Sequence, residues 1–401
     1  MEPLMSASLS PQTIAIVKAT VPALAEHGSA ITSAMYRRLF EDAEIAALFN
    51  TANQENGAQV HALATAVLAY ARNIENLSAL GPAVERIAQK HIGYAIKAEH
   101  YPYVATALLG AIEEVLGDAA TPEILAAWGE AYWFLANILT GREDTIRAEI
   151  MTHEGGWTDW REFVIAQRRP ESEGIVSFIL KPVDGRPVLR HRAGQYLTFR
   201  FDAASLPGLK RNFSISSGPS DDHYRITVKR QADGGASAFL HDHGFPGVIV
   251  ETTPPAGDFF LADVPERPIV LLSGGVGLTP MVSMMEMIAE AHPAARVWYV
   301  HGTASREAHA LDAHIRELAG QHGGTKVHTF YERRGEADDA EAGLVTVDWL
   351  KANTPFDQAD FYLCGPRPFL RSFVPGLIGA GVPSGQVHYE LFGPTDEAFA
   401  A

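Results

Sequence analysis

The sequence predicts a multidomain chain in three parts: an all-α first third, then a small antiparallel β-barrel, then an α/β part built on a parallel sheet. Three observations predict it. Before residue 150, apolar residues recur at helical spacing and no alternating strand pattern stands out. After Gly155-Gly156-Trp157 the pattern becomes short strand-like runs parted by Pro and Gly. Past Asp263, apolar runs alternate with helical stretches, the signature of parallel strands with crossover helices. The boundaries expected are 1–150, 157–263 and 264–401.

Taken in order, Ile14, Val17, Val21 and Leu24 start the helical pattern. Pro82 suits the first turn of a helix on which Val84, Ile87, Ala88 and His91 share a face at i, i+3, i+4 and i+7. A long amphipathic helix follows over 124–139, with Trp128, Tyr132 and Leu135 on one side. The barrel strands are expected at 162–165, 175–180, 196–201, 213–216, 224–229 and 248–252. The parallel strands are expected at 269–272, 297–301, 327–331 and 361–364.

Of 401 residues, 47% are hydrophobic and 20% charged, enough to bury two or three sizeable cores. A net charge of −16 argues against nucleic acid as a partner. Residues 1–11 lack a basic segment followed by an apolar core, so no secretory signal is expected there. No apolar run is long enough to span a bilayer. A cytoplasmic, monomeric protein without integral membrane association is the expectation. The single cysteine excludes an internal disulfide, a cysteine-ligated zinc finger and a four-cysteine iron–sulfur cluster.

Two motifs carry nucleotide chemistry. Gly274-Gly275-Val276-Gly277-Leu278-Thr279-Pro280 joins a buried strand to a helix. There glycines admit a pyrophosphate and the helix N-terminus offers free amides. Thr279 is placed to cap that helix and Pro280 to occupy its first position. Alone, the loop serves equally as a tight turn. Cys364-Gly365-Pro366 ends another buried strand, where parallel sheets place ligands; alone it reads as a buried thiol before a turn.

In this order the two motifs resemble the ferredoxin-reductase-like family, from about Trp160 onward. The resemblance implies that the glycine loop binds the nicotinamide nucleotide and that Cys364 lies by the nicotinamide. It also implies FAD. Arg211-Asn212-Phe213-Ser214 matches the family's flavin strand, with Phe213 standing where the family has tyrosine. An arginine fork suits a pyrophosphate, and Ser214 an isoalloxazine edge. Gly194-Gln195-Tyr196 matches the preceding flavin strand. Gly234-Gly235-Ala236-Ser237 matches a second phosphate site, with Gly235 and Ser237 as contacts. Glu390-Leu391-Phe392-Gly393-Pro394 matches the tail over the flavin, Phe392 being its stacking ring.

In the first third, a lone histidine on an apolar helix face is more often a core residue than a ligand. The order Tyr36, Phe49, Gln59, Leu63 and His91 nevertheless resembles globins. With Asn73-Ile74-Glu75-Asn76-Leu77 and Ile87-Ala88-Gln89-Lys90-His91, nearly the whole chain resembles flavohaemoglobins, the fused globin–reductase family. That resemblance implies haem b with His91 as its iron ligand and Phe49 and Leu63 in its pocket. Tyr36 and Gln59 are then the distal hydrogen-bonding pair, and Tyr101 and Glu143 the pair behind the histidine. Lys90 and Glu390 match positions that bear on redox behaviour, with an ion pair between them as one reading and a solvated surface charge as the default for Lys90 alone. The implied activity is nitric oxide dioxygenation: nitric oxide and dioxygen become nitrate, with electrons from NADH or NADPH through FAD. The alternatives are a gas-binding or sensing globin and an NAD(P)H:flavin reductase serving an external acceptor. The resemblance also allows a lipid or azole in the haem pocket. For the nucleotide, no acidic residue stands within His301-Gly302-Thr303-Ala304-Ser305-Arg306, so Ser305 and Arg306 could accept a 2′-phosphate, whereas the family expectation is NADH.

Overall fold

A computed structural model describes residues 9–46, 58–76, 80–203, 206–232, 235–336 and 338–392. The chain divides into two compact units, the first ending at Glu149 and the second beginning at Ile150. Among the described residues, no helix is long and apolar enough to cross a membrane.

The first unit is helical: α1 (Pro11–Ala19), α2 (Val21–Leu39), α3 (Ala43–Ala46), α4 (Ala58–Arg72), α5 (Gly81–Gly93), α6 (Tyr101–Leu116) and α7 (Pro122–Thr152). The helical pattern through Ile14 and Leu24 is split in two at Thr20. Ser10 caps α1, its hydroxyl accepting from the Thr13 amide at 3.0 Å. Pro82 falls in the first turn of α5, where its missing N–H costs nothing. Ile31, Met35, Leu108, Ile112 and Trp128 fill the main core. Val84 and Ile87 of α5 join Tyr101, Ala136 and Leu139 in a separate apolar cluster. The helix expected over 124–139 is longer at both ends, as α7 has no Pro or Gly–Pro break to stop it before Thr152.

The second unit holds two six-stranded sheets. The first comprises β1 (Arg161–Ser172), β2 (Ile175–Pro182), β3 (Tyr196–Ala203), β4 (Leu206–Ser214), β5 (Tyr224–Lys229) and β6 (Ile249–Thr252), in the order β4-β3-β6-β1-β2-β5. All its pairings are antiparallel. Its two edges meet just past β4: Ile215 bridges Ile226, and the Ser216 amide donates to the Arg225 carbonyl at 2.7 Å. The sheet thereby closes as a barrel, which removes its free edges. Phe163, Phe178, Phe199, Leu197 and Tyr224 are fully buried within it. Four expected strands prove longer, β2 and β3 by two residues each at their C-terminal ends. β1 extends to Ser172 through bulges against β2, and β4 runs from Leu206 to Ser214, starting seven residues before the expected strand at 213–216.

The second sheet has β7 (Ile269–Gly274), β8 (Val297–Thr303), β9 (Thr325–Tyr331), β10 (Glu341–Ala342), β11 (Asp360–Gly365) and β12 (Val387–Leu391), ordered β10-β9-β8-β7-β11-β12 and parallel throughout. Its helices are α9 (Leu278–Ala291), α10 (Asp312–His322), α11 (Val347–Asn353) and α12 (Arg367–Gly379), while α8 (Gly235–His243) belongs to the barrel segment. Alternate residues of β7 go to opposite layers. Ile269 and Leu271 pack with α9 and α10, whereas Val270 and Leu272 pack with α11 and α12. Strand order reverses between β7 and β11, so their C-terminal ends form the crevice where open α/β sheets bind ligands.

Candidate functional site

In the helical unit, three residues far apart in sequence converge. His91 stands in the last turn of α5, Tyr101 opens α6 and Glu143 lies inside α7. Glu143 is completely buried. His91 Nδ1 lies 2.7 Å from Glu143 Oε1 and 3.0 Å from the Tyr101 hydroxyl, and that hydroxyl donates to the same carboxylate oxygen at 2.5 Å. A carboxylate only accepts, so the proton sits on Nδ1 and Nε2 keeps its lone pair. Among the described residues, nothing hydrogen-bonds to Nε2. Burial, and then Glu143 beside it, push the Tyr101 phenol far above its usual range, so it stays a proton donor.

A buried anion that orients a histidine and leaves its other nitrogen without a partner among the described residues fits what a haem iron needs of a ligand. Half-buried apolar side chains suited to a porphyrin lie on the flanking helices, Leu63 and Val67 on α4 and Val84 and Ile87 on α5. Tyr36 is buried on α2 and stacks on Phe40 at 5.6 Å. Gln59 is helical in α4, but its side chain lies outside the described residues, as does all of Phe49. Lys90 is half-buried beside His91 in the helical unit, and Glu390 lies on β12 in the other unit. Sequence reasoning missed Arg147, whose guanidinium lies 3.7 Å from Glu143 Oε2 and donates to the Ile96 carbonyl. Its i+4 spacing from Glu143 was the available signal.

In the barrel, Arg211, Asn212, Phe213 and Ser214 end β4, and Tyr196 opens β3 directly opposite Ser214. The Arg211 guanidinium is half-buried, and among the described residues it meets no carboxylate. A half-buried, uncompensated fork at a strand end suits an anion such as a pyrophosphate. Phe213 packs edge-on against Phe199 at 5.5 Å, so its ring is held without a hydroxyl. Gly235 takes φ +71° at the start of α8, a conformation that favours glycine. Ser237 accepts from the Gln231 amide at 3.1 Å and so closes the turn before α8. Gly234 lies outside the described residues.

At the parallel sheet, the two nucleotide motifs touch. A Cβ on Gly277 would fall 2.2 Å from the Cys364 carbonyl oxygen and 2.8 Å from the Gly365 nitrogen. Gly275-Val276-Gly277 forms a single tight turn, and α9 follows at Leu278. The helix cap is not the expected Thr279. Because the turn runs straight into the helix, Gly277 is the cap, and Thr279 and Pro280 lie inside the first turn. Thr279 donates to the Val276 carbonyl at 3.1 Å instead. No side chain caps α9: the Leu278 amide donates back to the Gly275 carbonyl within the glycine turn, and Pro280 has no N–H to offer. The Cys364 thiol is fully buried and pushed well above its usual range by burial and by nearby Glu390, its register partner on β12. It is therefore no thiolate nucleophile. Leu391 is buried, Phe392 is exposed, and Gly393 and Pro394 lie outside the described residues.

Comparison with known proteins places these features. The Globin family model matches residues 32–139, and the Oxidoreductase NAD-binding domain model matches 271–374. The flavohemoprotein of Xylella fastidiosa (strain 9a5c) is 70% identical over 397 residues, covering 99% of this chain and 100% of that one. A flavohemoglobin from Malassezia yamatoensis, solved with bound FAD and heme, superposes with a TM-score of 0.86 at 26% identity, covering 96% of this chain and 100% of that one. The flavohem-like FAD/NAD binding domain of nitric oxide dioxygenase from Vibrio cholerae O1 biovar El Tor has a TM-score of 0.54 at 34% identity, covering 58% of this chain and 99% of its own. With helical unit and reductase unit aligned together to such relatives, this chain belongs to the flavohemoprotein family.

Proposed function

We propose that this oxidoreductase is a nitric oxide dioxygenase, converting nitric oxide and dioxygen to nitrate at haem b, with electrons drawn from NADH or NADPH through FAD. The observation that carries the reading is the Glu143–Tyr101–His91 triad, with no partner on Nε2 among the described residues. When bound, haem supplies the iron for dioxygen activation, and FAD turns a hydride into single electrons. The chain's own residues do the rest. Glu143 and Tyr101 hold the proton at Nδ1 and make the imidazole a stronger donor through Nε2. Tyr36 and Gln59 would supply hydrogen bonds to the bound gas, and Phe49 and Leu63 would be the apolar residues that hold the haem. Lys90 and Glu390 tune the two redox groups.

Arg211 holds the FAD pyrophosphate, Ser214 its ring edge, and Gly235 with Ser237 a phosphate. Tyr196 and Phe392 pack its ring, with Asn212, Phe213, Leu391, Gly393 and Pro394 completing the site. Gly275 to Pro280 hold the nicotinamide nucleotide, with Cys364 beside it. We assign the domains as 1–150, 157–263 and 264–401. The activity named for the Vibrio cholerae counterpart supports this reading, as do the FAD and heme of the Malassezia yamatoensis protein. In air, haem- and FAD-loaded protein should remove nitric oxide only with NADH or NADPH present, yielding nitrate. Each nicotinamide oxidised should remove two molecules of nitric oxide, one per electron. Failure to consume nitric oxide would overturn the proposal.

A further inference from the structure

The barrel and the parallel sheet are joined by a buried polar clamp, built around one carboxylate. Glu286 lies on α9, three residues after Ser283 and about two turns beyond the glycine loop. Its Oε2 accepts from the Gly218 amide at 2.5 Å. Its Oε1 accepts from Arg225 at 2.6 Å and lies 2.7 Å from His314 Nε2 on α10. The Glu286 side chain is only 20% exposed and Arg225 12%. Arg225 also donates to the Ser216 hydroxyl and carbonyl, and its amide donates to the Ser217 hydroxyl at 3.1 Å.

Ser216-Ser217-Gly218 follows, after Ile215, the strand that ends in Arg211-Asn212-Phe213-Ser214. A second tie runs alongside. His191 Nε2 lies 3.1 Å from the Ser217 carbonyl and 3.2 Å from the Ser283 hydroxyl. The other flavin strand meets the same helix, since a Cβ on Gly194 would fall 2.7 Å from the Met284 methyl. Gly218 is packed as closely: a Cβ there would lie 2.9 Å from the Glu286 Cβ. One rigid helix therefore begins at the nucleotide loop and is bolted, through a charged group, to the end of the flavin strand.

We propose that Glu286 is a positioning residue for hydride transfer, fixing the distance between the flavin-binding strand and the nucleotide-binding loop. This rests on the FAD and nicotinamide reading above. The polar groups contribute rigidity rather than contact with either ligand, so affinity and rate separate. Transfer needs the reacting atoms within a near-attack distance, and a displacement of about 1 Å can cost about 10²-fold in rate.

The test is anaerobic stopped-flow reduction of the FAD-loaded full chain by NADH, in the parent, E286A and E286Q. E286A should bind FAD and NADH within about twofold of the parent. It should lose most of the long-wavelength charge-transfer absorbance between reduced nicotinamide and flavin. At saturating NADH its flavin should reduce tenfold or more slowly. E286Q, whose amide oxygen still accepts from the Gly218 N–H, should fall between the two, and it carries the test if E286A does not fold. Parental charge-transfer absorbance and saturating rate in the folded variants would overturn the proposal, as would a rate loss that saturating NADH restores. A parent whose flavin NADH cannot reduce would instead refute the reductase reading itself.

Discussion

Replacing Gly277 by alanine probes the meeting of the two nucleotide loops. The added methyl would sit 2.2 Å from the Cys364 carbonyl oxygen, 2.5 Å from its carbon and 2.8 Å from the Gly365 nitrogen. All three are backbone atoms, so no side chain can swing aside. The loops must separate by roughly 1 Å to restore ordinary contact, a shift that can cost about 10²-fold in a positioned reaction. Overpacking of this kind costs about 1–3 kcal/mol in stability. Gly275→Ala is the matched control. Gly275 has φ +54° and open space around its missing Cβ, so alanine there meets backbone strain of about 1–2 kcal/mol without a clash. Both variants should unfold at a few degrees lower temperature. In stopped-flow reduction by NADH, G277A should be slowed about 10²-fold and G275A much less. Parental flavin reduction in G277A would refute the reasoning, as would equal rate losses in the two.

Three further predictions follow from named groups. Glu143→Gln removes the charge behind His91, a class of hydrogen bond contributing about 1.5–3 kcal/mol. The iron–histidine stretching frequency of the ferrous haem protein should fall, and an unchanged frequency contradicts the triad. Arg211→Ala removes a charged fork from the proposed pyrophosphate site. Measured by titration of apoprotein, its FAD Kd should rise about 10²-fold, matching a loss near 3 kcal/mol. The third concerns pH. Burial lowers His191 to about 3 and His309 to about 4, and holds His301 well below its usual range. In the unfolded chain these titrate near ~6.5. Between those values the unfolded state binds protons that the folded state refuses, so stability is full above pH ~6.5 and falls on acidification. The denaturant midpoint of the reductase unit should drop between pH 7.5 and 5.5, and a flat profile there contradicts the assignment.

Much of this was legible in the sequence because periodicity and turn chemistry are local. Strand β7 with its glycine loop, and β11 with Cys364-Gly365-Pro366, read directly, since fully buried parallel strands are continuous apolar runs. The short β12 did not, because His388 and Glu390 break its apolar pattern; register against β11 defines it. The misplaced cap at Thr279 has the same origin. Capping residues signal a helix start, but a tight glycine turn feeding the helix overrides the signal. His91, Tyr101 and Glu143 were gathered by resemblance to a family, because no local pattern links residues on three helices. The Glu286 clamp left no trace: Arg225 is 61 residues away and Gly218 68, and an acidic residue on a helix ordinarily faces water.

The central claim is that hydride taken up by the reductase unit reaches iron at His91 as single electrons. An anaerobic absorption spectrum of the haem- and FAD-loaded full chain, before and after one addition of NADH, tests it most directly. The account predicts that the flavin band bleaches and the Soret band moves to its ferrous position in the same sample, without any added carrier. A flavin that bleaches while the Soret band stays ferric would contradict it.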